Sequence, residues 1–165
     1  MSDIDTAEVD SLKVLDPERP IREADIESRI HGSILPAVYE SALTLFFCAR
    51  RLPHLSREEF QRYWRDKHGP LVRSHAATLA IRRYVQHHTA LDPANDGLRA
   101  SRGGPEAFDG IAELQWESQE ALAAALDSAA GRAASLALLE DERRFIDLAS
   151  SPVFFEAEPN VVIAG

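Results

Sequence analysis

Cysteine and positive charge are both scarce in this chain. Its one cysteine, Cys48, rules out an internal disulfide, and the apolar residues around it predict a buried thiol. The 18 lysine and arginine residues are outnumbered by 27 aspartate and glutamate residues, which gives a net charge of −9. That charge argues against nucleic acid or an anionic membrane surface as the main partner.

Long apolar stretches and leader-like features are also missing. No apolar run approaches the roughly 20 residues that a membrane-spanning helix needs. The acidic start lacks the basic and apolar regions of a signal peptide. A chain of 165 residues can still bury a sizeable core. We therefore expect a soluble cytoplasmic protein that has no membrane partner.

Signatures of metals and common cofactors are absent from the sequence as well. Gly103-Gly104-Pro105 lies in a loop-like region and does not open a helix after a strand, so it does not predict a phosphate-binding loop. No serine-centred nucleophile elbow is present. Among the six histidines, only the weak spacing of His68 and His75 stands out, and it is nearly two helical turns. We expect neither a metal nor another cofactor.

The chain divides into two parts by composition. Residues 1–40 hold ten acidic and four basic residues and three prolines. We expect them to form an acidic, partly ordered arm, which either packs on a neighbouring subunit or remains a flexible tail. Residues 41–165 carry the regular apolar patterns of one folded domain.

The end signals of one helix define its position. Ser56 and Glu59 have the spacing of a capping box, which predicts the first turn. Gly69 predicts the end of this helix, and Pro70 suits the first position of a second helix. The pattern therefore predicts two helices with His68 at the kink between them.

His68 is the most informative polar residue of this region. Trp64 precedes it by one helical turn, so the two side chains share a face. A histidine there can titrate near neutral pH and take part in chemistry. It can equally serve as a helix C-cap that interacts favourably with the helix dipole.

The predicted order of elements is that of a ferredoxin-like βαββαβ fold, which is α+β with a four-stranded antiparallel sheet. Strands are predicted at residues 43–49, 81–89, 110–116 and 153–157, with a possible extension at 161–163. Helices are predicted at 119–126 and 132–148, and a long loop at 90–108. Because the strands are apolar in both phases, we expect the second sheet face to be covered in a back-to-back homodimer.

Four groups of residues carry a family resemblance. They are Phe60-x-x-Tyr63-Trp64-x-x-x-His68-Gly69-Pro70-Leu71, Arg83-Tyr84-x-Gln86-x-His88, Asp109-Gly110-x-x-Glu113-Leu114 and Asp141-Glu142-x-x-Phe145-x-Asp147. Together they resemble the EthD family of the dimeric α+β barrel superfamily over roughly residues 42–163. The resemblance implies a pocket between sheet and helices. It also implies a range of chemistries, from lyases and isomerases to cofactor-free monooxygenases and haem-degrading relatives.

The candidate site follows from the residues that can face this pocket. Tyr84, Gln86 and His88 share one phase of the second strand, whereas His87 points to the other face. Glu113 either pairs with an arginine of the second strand, Arg82 or Arg83, or acts as a base or an orienting group for His68. Asp141 and Glu142 have the pattern of a solvated helix face. The candidate catalytic residues are His68, Tyr84, His88 and Glu113, and the candidate substrate-binding residues are Phe47, Trp64, Gln86 and Trp116.

A histidine beside a tyrosine or a carboxylate in an apolar pocket suits proton transfer. We therefore expect a cofactor-free lyase or isomerase, of the decarboxylation, dehydration or proton-transfer type. Its substrate would be a small hydrophobic compound, aromatic or polyketide-like, and His68 would be the general acid/base. Three alternatives remain open: a cofactor-free monooxygenase, a non-catalytic dimeric binding protein for a hydrophobic metabolite, and a haem-binding protein.

Overall fold

The computed structural model describes residues 42–157, 159–160 and 162–163. The predicted acidic arm, residues 1–40, lies outside the described residues. Four strands form one sheet in the order β2-β3-β1-β4, and every neighbouring pair is antiparallel. This confirms the predicted ferredoxin-like arrangement. The strands are β1 (Leu43–Ala49), β2 (Arg83–His88), β3 (Gly110–Trp116) and β4 (Val153–Phe155).

The helices differ from the predicted ones mainly at their ends. They are α1 (Arg57–Tyr63), a π-helical turn (Trp64–His68), α2 (Gly69–His75), α3 (Ala94–Ala100), α4 (Gln119–Asp127), α5 (Ala129–Glu142) and a 3₁₀ turn (Leu148–Ser150). Helix α5 starts earlier than predicted because Ser128 caps it, accepting a hydrogen bond from the Gly131 N–H at 2.8 Å. Helix α3 lies in the predicted loop. It buries no residue, and its sequence therefore lacks the apolar periodicity from which a helix is predicted. No single helix in the described part of the chain is long and apolar enough to cross a membrane.

The last strand is shorter than predicted. It ends at Phe155, and the expected extension past Pro159 is not a strand at Val162 and Ile163, which are both exposed. The third residue of that extension, Val161, lies outside the described residues.

The start of α1 is confirmed and its predicted end is wrong. Ser56 and Glu59 form both hydrogen bonds of the capping box. Gly69, however, has ordinary right-handed helical angles, and its N–H donates to the Trp64 carbonyl five residues back. This π-helical bond adds a residue to the turn just before Pro70, which has no N–H of its own to donate. His68 therefore lies inside a continuous helical segment instead of at a kink.

The core lies between the sheet and its helices. One buried cluster joins the α1 and π-turn aromatics Phe60 and Trp64 to Phe145 and to small residues of the sheet, and a second surrounds Leu43 and Trp116. Gly110 on β3 permits the close packing of the first cluster. A Cβ at this position would lie 2.4 Å from a ring carbon of Trp64, so glycine lets the indole lie directly on the sheet.

The opposite face of the sheet carries aromatic and charged residues. Phe46 of β1 and Phe154 of β4 are cross-strand partners with ring centroids 6.0 Å apart. Phe154 remains 52% exposed. Cys48 shares this phase of β1 and is buried, as predicted, and burial raises the pKa of its thiol.

Candidate functional site

A buried polar group joins the π-turn to the end of α5. His68 is 4% exposed, and its Nδ1 lies 2.9 Å from Oδ2 of Asp141. The Tyr63 hydroxyl donates to the other oxygen, Oδ1, at 2.7 Å. In a π-turn, residues five apart lie closer to one face than they do in an α-helix. The extra residue of the turn thus lets Tyr63 and His68 face one carboxylate.

Asp141 determines which nitrogen of His68 is free. A carboxylate only accepts hydrogen bonds, so Nδ1 carries the proton and Nε2 of the neutral ring keeps its lone pair. Burial lowers the pKa of His68, although the hydrogen bond to Asp141 and its charge act in the opposite direction. No described residue hydrogen-bonds to Nε2. The ring is therefore held in the neutral form that has its lone pair on Nε2.

A second polar group lies on the helix-facing side of β2. The Tyr84 hydroxyl accepts hydrogen bonds from Nε1 of Trp64 at 2.9 Å and from Nε2 of Gln86 at 3.1 Å. Burial raises the pKa of Tyr84 to about 12, so the phenol stays protonated. Its own proton has no acceptor among the described residues and is available to a ligand oxygen.

Gln86 is fixed by its remaining hydrogen bonds and in turn orients His88. Its Nε2 also donates to the Trp64 carbonyl at 2.9 Å, and its Oε1 lies 3.2 Å from Nε2 of His88. The amide oxygen is an acceptor, so His88 carries its proton on Nε2. Burial, and then the charge of Arg65, lowers the pKa of His88. Its Nδ1 is buried and has no partner in the described part of the chain, which leaves one unused acceptor.

Glu142 interacts electrostatically with one member of each polar group, Asp141 and Tyr84. Burial, and then the charge of Asp141, raises its pKa to about 7, and its own charge contributes to the raised pKa of Tyr84. The charge pattern predicted a solvated helix face for Asp141 and Glu142, and that interpretation is wrong. The apolar pattern of the helix indicates the opposite, because Leu138 and Phe145 lie on the same helical face as Glu142.

A cleft of about 440 Å³ opens between α2 and β2. Tyr84 and Gln86 line it from the strand, and Val72 and Ile81 give it apolar walls. His68 does not line this cleft. Trp64 links His68 to the cleft, because it precedes His68 by one turn and donates a hydrogen bond to the Tyr84 hydroxyl. A ligand in the cleft would contact Tyr84, which lines it.

Residues 52–149 match the EthD domain family. The chain belongs to this family. The expected resemblance is thus confirmed for more than half of the chain, including the helix that carries His68 and the helix that carries Asp141. No curated protein matches the chain.

Solved structures with a similar fold include other EthD proteins. An EthD-like protein from Ralstonia eutropha JMP134 is 16% identical with a TM-score of 0.50, and the match covers 76% of this chain and 96% of that one. An EthD family protein from Bacillus halodurans C-125 is 17% identical with a TM-score of 0.48, covering 72% and 99%. SnoaB, a cofactor-independent oxygenase from Streptomyces nogalater, is 13% identical with a TM-score of 0.41, covering 74% and 99%. At these identities the likeness concerns the fold alone.

Two of the predicted EthD site residues lie apart from His68. Glu113 projects from the opposite face of the sheet, where it pairs with Arg83 and lies 3.1 Å from Nε2 of His87. This is the structural alternative that the sequence left open. Trp116 belongs to the second core cluster, where its Nε1 donates to the Leu79 carbonyl at 2.9 Å.

The remaining predicted residues lie together on the helix-facing side. Phe47 packs against the core cluster that contains Trp64, and the rings of Trp64 and His88 have centroids 4.8 Å apart. In the residues that the structure describes, no three histidine, cysteine, aspartate or glutamate side chains are arranged to hold a metal ion. The candidate site thus consists of His68, Tyr84 and His88, together with Asp141 and Glu142.

Proposed function

We propose that this EthD protein is a cofactor-free lyase or isomerase that moves a proton on a small aromatic or polyketide-like compound. His68 is the general acid/base. The observation that carries the proposal is the hydrogen bond from Nδ1 of His68 to Asp141, which leaves Nε2 unprotonated and available. Family membership supports the proposal without specifying a reaction.

The chemistry begins at a carbon next to a carbonyl group. Nε2 of His68 takes a proton from this carbon, and the Asp141 carboxylate stabilises the imidazolium that forms. The Tyr84 hydroxyl donates a hydrogen bond to the carbonyl oxygen, where negative charge develops. Return of the proton to another carbon completes an isomerisation, and its delivery to a leaving hydroxyl completes a dehydration. Where carbon dioxide leaves first, Nε2 of His68 must already hold a proton taken from solvent, which it gives to the resulting carbanion as the ring returns to its neutral form.

Glu142 gives the site a second group that can exchange protons near neutral pH. Its pKa of about 7 lies close to the value at which a general acid or base is most effective. The carboxyl group adjoins Asp141 in sequence and influences Tyr84 electrostatically. It is therefore suited to exchange protons with the solvent between turnovers.

Proton abstraction can be tested without knowing the natural substrate. Benzoylacetone is a small aromatic 1,3-dicarbonyl compound with an acidic C–H, and proton NMR follows the exchange of that hydrogen in D₂O. We expect the protein to accelerate exchange above the buffer rate. Binding of the probe without acceleration would identify a carrier. Oxygen consumption with the probe would indicate a monooxygenase, and a Soret band after addition of haemin would indicate haem binding.

The same proposal includes a homodimer formed through the face of the sheet that carries Phe46 and Phe154. The exposure of Phe154 and its pairing with Phe46 support an apolar interface there. Light scattering should give the mass of two chains, and Phe154→Glu should shift the protein toward one. Leu98→Glu is the matched control, because Leu98 is equally apolar and 63% exposed on α3. A monomeric wild-type protein would contradict the proposed dimer.

A further inference from the structure

The lining of the cleft between α2 and β2 is rich in arginine, although the protein is acidic. Its lining contains four arginines and no acidic residue, although the whole chain has a net charge of −9. The arginines are Arg65, Arg73, Arg82 and Arg83. A cluster of one sign in a concave, partly apolar place attracts ligands of the opposite sign.

One of these guanidinium groups is free to bind a ligand. Arg73 forms no ion pair with any residue that the structure describes, whereas Arg83 is engaged by Glu113. Arg65 pairs with its neighbour Asp66, and both side chains are exposed. An exposed ion pair of this kind contributes little stability and is easily exchanged for a better partner. Arg73 is thus the first anchor for an anion, and Arg65 can assist.

Arg82 is a third arginine that can turn toward the cleft. It pairs with Glu117 at 2.9 Å, and both side chains are exposed. The planar guanidinium group binds carboxylates through two parallel hydrogen bonds. The cleft therefore offers several such groups at its rim without requiring a buried, unpaired charge.

The rest of the cleft fits a flat, partly apolar molecule with a carbonyl group. Val72, Ala76 and Ile81 supply apolar walls, and the Tyr84 hydroxyl can donate to an oxygen atom. The volume of about 440 Å³ falls within the range of small-molecule sites. Arg65 lines the cleft together with Tyr84 and Gln86, and its charge also lowers the pKa of His88.

We propose that the cleft binds a small aromatic or polyketide-like carboxylate. Arg73 holds the carboxylate, and Tyr84 hydrogen-bonds a carbonyl oxygen further along the ligand. The inference goes beyond the proposed function, because His68 does not line this cleft. It concerns binding alone and does not depend on the proposed proton transfer. An anion-binding cleft of this kind would select keto acids over neutral ketones.

Two ligands of similar shape, one charged and one neutral, distinguish the contribution of the carboxylate charge to binding from that of the apolar contacts. The probes are 3-benzoylpropionate and its primary amide, and their dissociation constants are measured by calorimetry at low salt. We expect the acid to bind about tenfold more tightly than the amide or better, because a hydrogen bond to a charged partner is stronger than a neutral one. Raising the salt concentration should reduce the difference.

Arg73→Gln should weaken binding of the acid about tenfold and leave binding of the amide within about twofold. Arg99→Gln is the control, because it removes the same charge from an exposed ion pair on α3. Arg73 is exposed, so the variant should fold, which thermal unfolding verifies. The inference is overturned if the acid fails to bind, if acid and amide bind equally, or if both variants have the same effect.

The outcome for the cleft can be separated from the outcome for the reaction. If the acid binds selectively and this binding depends on Arg73, but the exchange of benzoylacetone is not accelerated, the carboxylate-binding cleft is supported and the proposed enzymatic activity is contradicted. If the exchange of this neutral diketone is accelerated but the acid is not preferred over its amide, the enzymatic activity is supported and the carboxylate-binding cleft is contradicted.

Discussion

Asp141 accepts a hydrogen bond from Nδ1 of His68 at 2.9 Å, although the two residues lie on different helices. Its second oxygen is occupied by the Tyr63 hydroxyl at 2.7 Å. The carboxylate is thereby fixed in orientation, and it fixes the tautomer of the imidazole. The sequence alone is compatible with His68 as a helix C-cap. The hydrogen bond to Asp141 makes it a candidate base, because it leaves the lone pair on Nε2.

Replacing Asp141 should change the protonation of His68 more than the fold. In Asp141→Asn the amide no longer requires a proton on Nδ1, so the tautomer mixture seen by ¹⁵N NMR should shift. We expect the exchange rate of benzoylacetone to fall at least about tenfold while its affinity changes little. Glu140→Gln removes an exposed charge one position earlier and should leave both unchanged. An unaltered tautomer and rate in Asp141→Asn would contradict the role of Asp141.

Histidine burial predicts loss of stability in mild acid. The pKa values of His68 and His88 are lowered by burial in the folded protein. The unfolded chain therefore binds protons more readily, and folding stability decreases as pH falls below about 6.5. Thermal unfolding between pH 7.5 and 5 should show this decrease. His88→Gln should reduce the pH dependence, whereas His54→Gln, which removes an exposed histidine, should preserve it.

Glu142 predicts the opposite pH dependence. Its pKa is raised from 4.5 to about 7 in the folded protein, so the folded state binds the extra proton and loses this contribution as pH rises through that window. Glu142→Gln removes the cost of ionisation. The unfolding temperature of the variant minus that of the wild type should therefore be larger at pH 8.5 than at pH 5, by about 3 °C or more. An equal difference at both pH values would show that Glu142 ionises normally.

Gly110 should tolerate no side chain. The added Cβ of Gly110→Ala would lie 2.4 Å from Trp64 and 2.6 Å from the His87 carbonyl oxygen, so the sheet or the indole must move. We expect a loss of about 1–3 kcal/mol of unfolding free energy and a shift in tryptophan fluorescence. Gly97→Ala places a Cβ in open space within α3 and should be neutral or slightly stabilising. Equal stability of the two variants would contradict the packing described for Trp64.

The central strands and the capped helix start were predictable because their signals are local. Strands β1 and β3 have the predicted bounds, since their apolar content marks them directly. The predicted end at Gly69 was wrong for a non-local reason. Its Cβ would approach Nε2 of Gln86 at 3.1 Å, so this glycine serves contact with β2 instead of ending a helix.

The site residues were only partly predictable, because the sheet face on which each side chain lies depends on how the strands pair. Strand alternation correctly placed Tyr84 and Gln86 together, but the pairing of Val85 with Glu113 is what puts Glu113 on the other side from His68. Asp141 and Glu142 are acidic neighbours at the end of an alanine-rich helix. Composition alone therefore favoured solvent exposure, whereas the packing of Phe145 against the core turns this end inward.

The most direct test of the account is the rate at which His68→Asn exchanges the acidic hydrogen of bound benzoylacetone. The measurement uses saturating probe, with the dissociation constant determined separately for wild type and variant. Loss of the general base predicts that the rate above buffer falls about a hundredfold or more, while the dissociation constant stays within about threefold. A variant that exchanges the probe as fast as the wild type would show that His68 is structural and would contradict the proposed proton transfer.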